Sequence, residues 1–252
     1  MRATKEIAAV WERFDRMPME TLTKAWYASR SAGGGQRTVK QMREHHATYG
    51  TSGNCFDLAL WLLDEFRQAG VEAYAIGHDM RNEKAHVAVM AFDEHRSPYL
   101  CDLGDMWIQP VLLDPKRSSF TGERIAGFFP GAQVQVSVGE SSCEIIYHRA
   151  GEKRSQQVYD LRKIPQLELM QAAEASQRCF RTQLVERRVR VGQEVAHWEF
   201  SDGESFLSTS AGLFPEPKLT SLEAWCDRIY ERTGIAKEVL RDALTYYAQQ
   251  NG

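Results

Sequence analysis

Three residues whose types carry nucleophilic catalysis follow one another along the chain: Cys55, His86 and Asp102. A cysteine thiolate attacks acyl groups, an imidazole moves the proton, and a carboxylate fixes the imidazole tautomer and stabilises its charged form. Cys55 stands where the turn-like stretch YGTSGN meets a long apolar run. The free N–H groups and the dipole of a helix start favour an anion there, and they are candidate donors to a tetrahedral oxyanion. The pattern predicts a cysteine-dependent acyl-transfer or hydrolytic site.

The positions of His86 and Asp102 indicate that both belong to one β-hairpin. His86 begins the apolar stretch HVAVMAF, and Asp102 lies in YLCDL, where a carboxylate needs a partner. If the two residues are directly opposed, the turn centres on Glu94, inside the polar segment DEHRSP. Pro98 would then fall inside the second strand, which requires an edge strand or a bulge. A one-residue bulge would put the two side chains on opposite faces, so the register favours the pair without proving it.

The elements that must position these residues begin with helices. Apolar residues at helical spacing predict helices over residues 7–14, 22–26 and 39–46. The run from Phe56 to Ala69 is apolar on nearly every face, which is typical of a central helix, and Gly70 closes it. The stretch SAGGGQ at 31–36 predicts a linker, because no strand precedes it and no phosphate-loop lysine follows.

Alternating apolar and polar residues then predict strands, and the chain returns to helix at its end. Thr220 and Glu223 fit a capping box, Gly234 fits the stop of that helix, and residues 237–249 predict the last helix. This order predicts an α+β fold with an N-terminal helical bundle, a central antiparallel β-barrel or sheet, and a smaller C-terminal α/β lid. The predicted strands cover residues 71–77, 86–92, 99–103, 132–138, 143–149, 188–191, 194–200 and 205–208.

Composition narrows the class of protein. A net charge of −3 gives no electrostatic reason to expect nucleic acid as a partner. The five cysteines are widely spaced and contain no CxxC, so we expect reduced thiols and neither a disulfide framework nor a structural zinc site. No apolar run reaches the roughly 18 residues of a membrane span, and the charged start lacks a secretory segment. We therefore expect a cytoplasmic protein with no membrane partner.

Three stretches carry a resemblance to a known family: SGNCFDLALWLL, AHVAVMAF and YLCDLGDMW. In order and spacing they resemble the arylamine N-acetyltransferases, within the papain- and transglutaminase-like cysteine enzymes. The resemblance is strong over residues 50–105 and diffuse elsewhere. The chain departs from the family where Gly53-Asn54 replaces a double glycine and where Gly104-Asp105-Met106 replaces GFG.

The resemblance implies a helical domain at 1–70 with the nucleophile, a β-barrel domain at 71–165 with His86 and Asp102, and an α/β lid at 166–252. It implies ping-pong transfer of an acetyl or other acyl group from an acyl-CoA cosubstrate to a small-molecule amine, with no permanently bound cofactor. The loop at Gly104 and Asp105 is implied to contact substrate, and Trp107 and Tyr49 are further candidates to line the cleft. The oligomeric state stays open.

Several alternatives use the same residues. A transglutaminase-like enzyme or thiol hydrolase acting on amides or peptides would share the triad, and a non-catalytic binding protein would keep the fold without turnover. A zinc site built from His45, His46, His78 and Cys55 is disfavoured, because adjacent histidines on a helix diverge and no HExxH occurs. The arginines at 187, 188 and 190 suit either coenzyme phosphates or, preferably, a solvated strand face.

Overall fold

The computed structural model describes residues 1–31 and 34–251, which form helices around two antiparallel sheets. The α+β prediction is confirmed. The predicted linker at 31–36 falls partly on residues 32 and 33, outside the described part. The helices are α1 (Lys5–Trp11), α2 (Leu22–Arg30), α3 (Val39–Tyr49), α4 (Cys55–Gln68), α5 (Gln166–Gln177), α6 (Leu222–Thr233) and α7 (Lys237–Asn251).

The larger sheet has eight strands and the smaller one five. The larger has the order β5-β4-β3-β2-β9-β8-β7-β6 and the smaller β1-β10-β11-β12-β13. The strands are β1 (Met19–Glu20), β2 (Ala73–His78), β3 (His86–Phe92), β4 (Pro98–Cys101), β5 (Val111–Leu112), β6 (Ile125–Phe129), β7 (Ala132–Val138), β8 (Ser142–His148), β9 (Arg154–Asp160), β10 (Leu184–Val191), β11 (Glu194–Ser201), β12 (Glu204–Thr209) and β13 (Gly212–Pro215).

The hairpin of β3 and β4 corrects the predicted register. Val89 pairs with Cys101 and Phe92 with Pro98, so the turn centres one residue later than predicted and Asp102 lies just past the end of β4. Residue parity is unchanged, which keeps His86 and Asp102 on one side as diagonal neighbours. Pro98 is accommodated as the first residue of its strand, a position that needs no bulge.

Other elements also differ from the sequence prediction. The cap of α6 is Ser221, whose hydroxyl accepts from Ala224 N at 3.2 Å, and the predicted cap Thr220 lies one residue outside. Gly234 does end α6, in the left-handed conformation with φ 79°. Neither α5 nor β9 was predicted. Their apolar signal is weak, because α5 buries mainly Leu169 and two alanines, and β9 is polar apart from Val158 and Tyr159.

Apolar side chains form two cores. The first joins α1, α3 and α4 to the eight-stranded sheet, and the second joins α2, α6 and α7 to the five-stranded sheet. Trp26 of α2 belongs to the second core, so the N-terminal helices are shared between the two. The division of the chain at residues 70 and 165 stays a prediction. None of the described helices is both long and apolar enough to cross a membrane.

Candidate active site

Cys55 is the first residue of α4, and the residue before it caps the helix. The Asn54 side chain accepts from the N–H groups of Phe56 and Asp57 at 3.0 and 3.2 Å, and the Asp57 carboxylate accepts from Asn54 N at 3.3 Å. The sequence signal for this cap was present, as an Asn followed three residues later by an acid. Because the N–H groups of Phe56 and Asp57 already donate to Asn54, they are not free to hold an oxyanion. The N–H group of Cys55 is therefore the remaining candidate donor at this helix start.

A buried ion pair holds the turn before the cysteine. Arg37 lies 3.2 Å from Asp57, with both side chains almost wholly buried, and donates to the Ser52 carbonyl at 2.7 Å. Gly53 has φ 123°, and a Cβ there would overlap the Asp57 carboxylate. The chain therefore keeps a glycine at this position for both conformational and steric reasons.

His86 is fixed by a carboxylate that is itself fully buried. Its Nε2 lies 2.7 Å from Oδ2 of Asp102, and that oxygen also accepts from the Tyr159 hydroxyl at 2.6 Å. The other oxygen of Asp102 accepts from Asp105 N at 2.9 Å. Three donors on one carboxylate favour its charged form, so despite burial the pKa of Asp102 is lowered. Since Nε2 faces Asp102, Nδ1 is the ring nitrogen left for a reacting group.

The electrostatics of this group favour a charged imidazole. Burial by itself would lower the pKa of His86, but the Asp102 carboxylate and the nearby Cys55 sulfur outweigh it and hold the pKa well above the usual value. The imidazole also stacks on the ring of His78, with centroids 5.4 Å apart. His78 is its cross-strand partner on β2, so the ring orientation is set by the sheet as well as by Asp102.

Gly104 shows how closely Cys55 and His86 approach. A Cβ at Gly104 would lie 2.5 Å from Cβ of Cys55 and 3.1 Å from Cε1 of His86. All three residues therefore surround a single point in the structure. The predicted residues Cys55, His86, Asp102 and Gly104 are brought together.

The other predicted substrate contacts are placed differently. Asp105 follows Gly104 and is partly buried, accepting from Trp107 Nε1 at 3.3 Å and from the Tyr147 hydroxyl. Burial and the charge of Asp102 raise the pKa of Asp105 to about 7. Trp107 is fully buried, so it supports this loop from inside.

Tyr49 lies apart from this group. Its ring packs against Trp26 with centroids 5.1 Å apart and against His45 at 6.4 Å, next to the second core. Its carbonyl accepts from Ala236 N at 2.8 Å. These are packing contacts and a backbone hydrogen bond. They give no support to the expectation that Tyr49 lines the cleft.

An acidic group that the sequence did not indicate lies in the five-stranded sheet. Glu186, His197 and Glu199 place one ligand atom each within 4.8 Å of one another, and with Asp105 they line a cavity of about 290 Å³. Burial and the nearby Glu186 raise the pKa of Glu199 to about 6. Within the described residues this is the group with donor types suited to a metal ion. The histidines considered from the sequence serve other contacts, such as His46 Nδ1 with the Thr51 carbonyl at 2.8 Å.

Two of the three arginines of β10, Arg187 and Arg188, have structural partners, which corrects the expectation of a solvated strand face for these two, whereas Arg190 is exposed as expected. Arg188 donates to the carbonyl of Phe14 at 2.7 Å and to that of Trp107, and burial lowers its pKa to about 10. Arg187 donates to the Arg232 carbonyl. Arg188 thus ties the N-terminal helices and the active-site loop to the second sheet.

Sequence comparison and structure comparison give different results. No family profile matches the sequence, and no curated protein matches it. Among solved structures, an arylamine N-acetyltransferase from Mycobacterium smegmatis is similar with a TM-score of 0.71 at 15% identity, covering 96% of this chain and 90% of the other. The Salmonella typhimurium arylamine N-acetyltransferase has a TM-score of 0.71 at 13% identity, with 95% and 89% covered. The Mycobacterium marinum enzyme in complex with CoA has a TM-score of 0.69 at 12% identity, with 93% and 89% covered.

The helices and the two sheets are therefore arranged as in a known group of α+β structures. In particular, the chain has the arylamine N-acetyltransferase fold over most of its length. The resemblance seen in three short sequence stretches is confirmed at the level of the fold. At identities of 12–15%, the fold is what these likenesses establish.

Proposed function

We propose that the protein is a cysteine-dependent acyltransferase that moves an acyl group from an acyl-CoA thioester to an amine. The observation that carries the proposal is the imidazole of His86, held by Asp102 with the Cys55 sulfur beside it, at the start of a buried helix in this fold. The similar Mycobacterium marinum structure contains CoA, which supports a thioester donor. Acetyl-CoA is the simplest such donor.

The proposed reaction consists of two half-reactions, acylation of Cys55 and transfer of the acyl group to the amine. The Cys55 thiolate attacks the thioester carbonyl, a carbon–sulfur bond to the enzyme forms, and CoA leaves as its thiol with a proton from His86. An amine then attacks the acyl-enzyme, His86 takes the amine proton, and the Cys55 thiolate leaves as the amide forms. Asp102 holds the tautomer and stabilises the imidazolium in both halves. The Cys55 amide is the proposed donor to the oxyanion.

The test is acyl-enzyme formation measured by intact mass. We expect acetyl-CoA to add one acyl group to the wild-type chain, and peptide mapping to place it on Cys55. Cys55→Ala should remove the shift, whereas Cys226→Ala, which deletes a fully buried thiol in the second core, should keep it. An acyl shift that persists in Cys55→Ala would overturn the assignment of the nucleophile.

Discharge of the acyl-enzyme separates the alternatives. Rapid loss of the acyl group on adding an amine, with slow loss in water, is expected for a transferase. Fast loss in water alone would indicate a thiol hydrolase. If no thioester acylates the chain and Cys55 alkylates no faster than free cysteine, the chain is a binding protein that keeps the fold.

A further inference from the structure

A cavity of about 680 Å³ adjoins the residues that hold Cys55 and His86. Its wall includes Ala85, directly before His86, and Ser176, whose hydroxyl accepts from the Asn54 side chain at 3.1 Å directly before Cys55. The cavity is large enough for a small-molecule substrate. Its wall thus includes the neighbour of His86 and a residue that is hydrogen-bonded to the neighbour of Cys55, so it offers space for a substrate near these two residues.

A nearly buried lysine forms part of this wall. Lys24 of α2 is 9% exposed, and its Nζ donates to the Ser176 carbonyl at 3.1 Å. An ammonium has three N–H donors, and a buried cation is costly without an anionic partner. Within residues 1–31 and 34–251, no carboxylate lies at ion-pair distance from Lys24. The wall thus presents a cation with spare donors to the cavity.

Two hydrogen bonds connect this cation to the start of the Cys55 helix. Lys24 Nζ donates to the Ser176 carbonyl, and the Ser176 hydroxyl accepts from the side chain of Asn54, the residue before Cys55. Burial lowers the pKa of Lys24, while the nearby Cys179 and Cys55 raise it in part. Ser176 thus contacts both Lys24 and the residue before Cys55.

The acids near Lys24 are already engaged with other groups. Glu20 accepts from Thr23 N at 2.7 Å and from the Thr23 hydroxyl, and Asp57 pairs with Arg37 at 3.2 Å. These carboxylates are therefore not free to move to Lys24 without breaking buried contacts of their own.

The wall also contains two carboxylates, and each of them is paired with an arginine. Glu83 is paired with Arg181, and Glu168 is paired with Arg162 at 3.2 Å. Arg81 contributes a further cation to the wall. An anionic substrate group gains from this field, and a neutral one does not.

We propose, building on the proposed acyltransferase function, that Lys24 is the specificity residue for a carboxylate on the substrate that occupies this cavity. The carboxylate is carried either by the transferred acyl group or by the acceptor amine. It supplies the anionic partner that the Lys24 ammonium lacks within the described structure.

The first experiment does not depend on thioester chemistry. Iodoacetate and iodoacetamide have nearly the same shape and differ in charge, and the sulfur displaces iodide from either. The rate constants at Cys55 are measured by peptide mapping, which keeps Cys179 separate. Any change in the reactivity of the sulfur itself cancels in the ratio of the two rates.

We expect Lys24→Met to lower the iodoacetate-to-iodoacetamide ratio at Cys55 by about tenfold. Lys24→Arg, which keeps the charge, should restore most of it. Lys40→Met is the matched control, because the Lys40 side chain is 85% exposed on α3 and should leave the ratio unchanged. A ratio at Cys55 that is the same in wild type and in both Lys24 variants, within about twofold, would overturn the proposal.

The second experiment identifies which substrate carries the carboxylate. Acylation is compared between butyryl-CoA and succinyl-CoA, and discharge is compared between aniline and 4-aminobenzoate. If one of the two comparisons shows a preference for the compound with the carboxylate, and Lys24→Met lowers this preference about tenfold, the carboxylate belongs to that substrate. Equal rates in both arms would overturn the proposal. If the alkylation ratio changes but no thioester reacts, the anion site stands and the acyltransferase function fails.

Discussion

Two cavities lie near the His86–Asp102 pair, and they differ in the charges that line them. The larger one includes Ala85, directly before His86, and has the nearly buried ammonium of Lys24 in its wall. The smaller one, of about 290 Å³, is lined by the carboxylates Asp105, Glu186 and Glu199 and also by Arg149 and Lys153. Asp102 accepts from Asp105 N, which connects it to the second cavity. The first cavity thus has a buried cation in its wall, whereas the second, the acidic cavity, has a group of three carboxylates.

The difference indicates where the proposed chemistry and the proposed selectivity reside. Cys55 and His86, which stand at the starts of regular elements, carry the atoms proposed to react. The loop at Gly104 and Asp105 carries the residues that depart from the family pattern, and Asp105 lines the acidic cavity. Substitutions in the His86–Asp102 pair and in each cavity therefore have distinct expected effects.

The largest effect is expected from the His86–Asp102 pair. Asp102→Asn replaces the buried anion with a neutral amide, which no longer stabilises a charged imidazole and permits the wrong tautomer. We expect the acylation rate to fall by about 10³-fold or more, as measured by rapid-quench mass analysis. Asp105→Asn is the matched control and should reduce the rate far less. Equal losses in the two variants would mean that the distinction between the His86–Asp102 pair and the acidic cavity is wrong.

An intermediate effect is expected at the point where the cysteine, the imidazole and the loop meet. Gly104→Ala places a methyl group 2.5 Å from Cβ of Cys55 and 3.1 Å from the His86 ring, so one of them must move. We expect about a 10²-fold loss of acylation, with a smaller change in melting temperature. Gly122→Ala is the control, because a Cβ there meets only the Val136 carbonyl at 3.8 Å. An unchanged rate in Gly104→Ala would show that the sulfur and the ring do not need this spacing.

The smallest effect is expected in the acidic cavity, as a dependence of stability on pH. The pKa of Asp105 is raised from 3.8 to about 7, so the folded state binds its proton more tightly than the unfolded state. Its contribution to the free energy of unfolding is full below pH 4 and is lost as the pH rises towards 7. Asp105→Asn removes this loss. The free energy of unfolding of the variant, relative to that of wild type, should therefore increase by on the order of 2 kcal/mol between pH 4.5 and pH 8. This value is reduced to allow for the partial exposure of Asp105.

Urea unfolding of both proteins at the two pH values measures this difference, because the other titrating groups are common to both. A difference in the free energy of unfolding that is constant with pH would contradict the raised pKa of Asp105. The acidic cavity would then be no more than a set of ordinary surface carboxylates.

The sequence alone predicted the candidate residues that lie at the start of a helix or a strand, because such starts have a local sequence pattern. Cys55 follows a turn and opens an apolar run, and His86 opens an apolar strand, so both element starts were visible. The hairpin register was wrong by one residue at the turn, because composition locates a polar turn but does not count its residues. Asp102 still shares a side with His86, since the error left the parity unchanged.

The missed residues reach the site from distant parts of the chain. Tyr159 is 57 residues from the Asp102 that it contacts, in a strand too polar to be recognised. Lys24 lies in a short helix, where a lysine is ordinarily a solvated residue, but here it is nearly buried and contacts Ser176 of α5. Such contacts depend on the assembled fold, which no local pattern encodes.

The two-residue strand β1 has a consequence for how the protein is made. Glu20 N donates to the Gly53 carbonyl, Glu20 accepts from Ser52 N, and Met19 and Glu20 pair with residues of β10. β10 begins at Leu184, so the ribosome synthesises it more than a hundred residues after Cys55. The support that β1 gives to the turn before Cys55 is therefore complete only after β10 has left the ribosome and paired with β1.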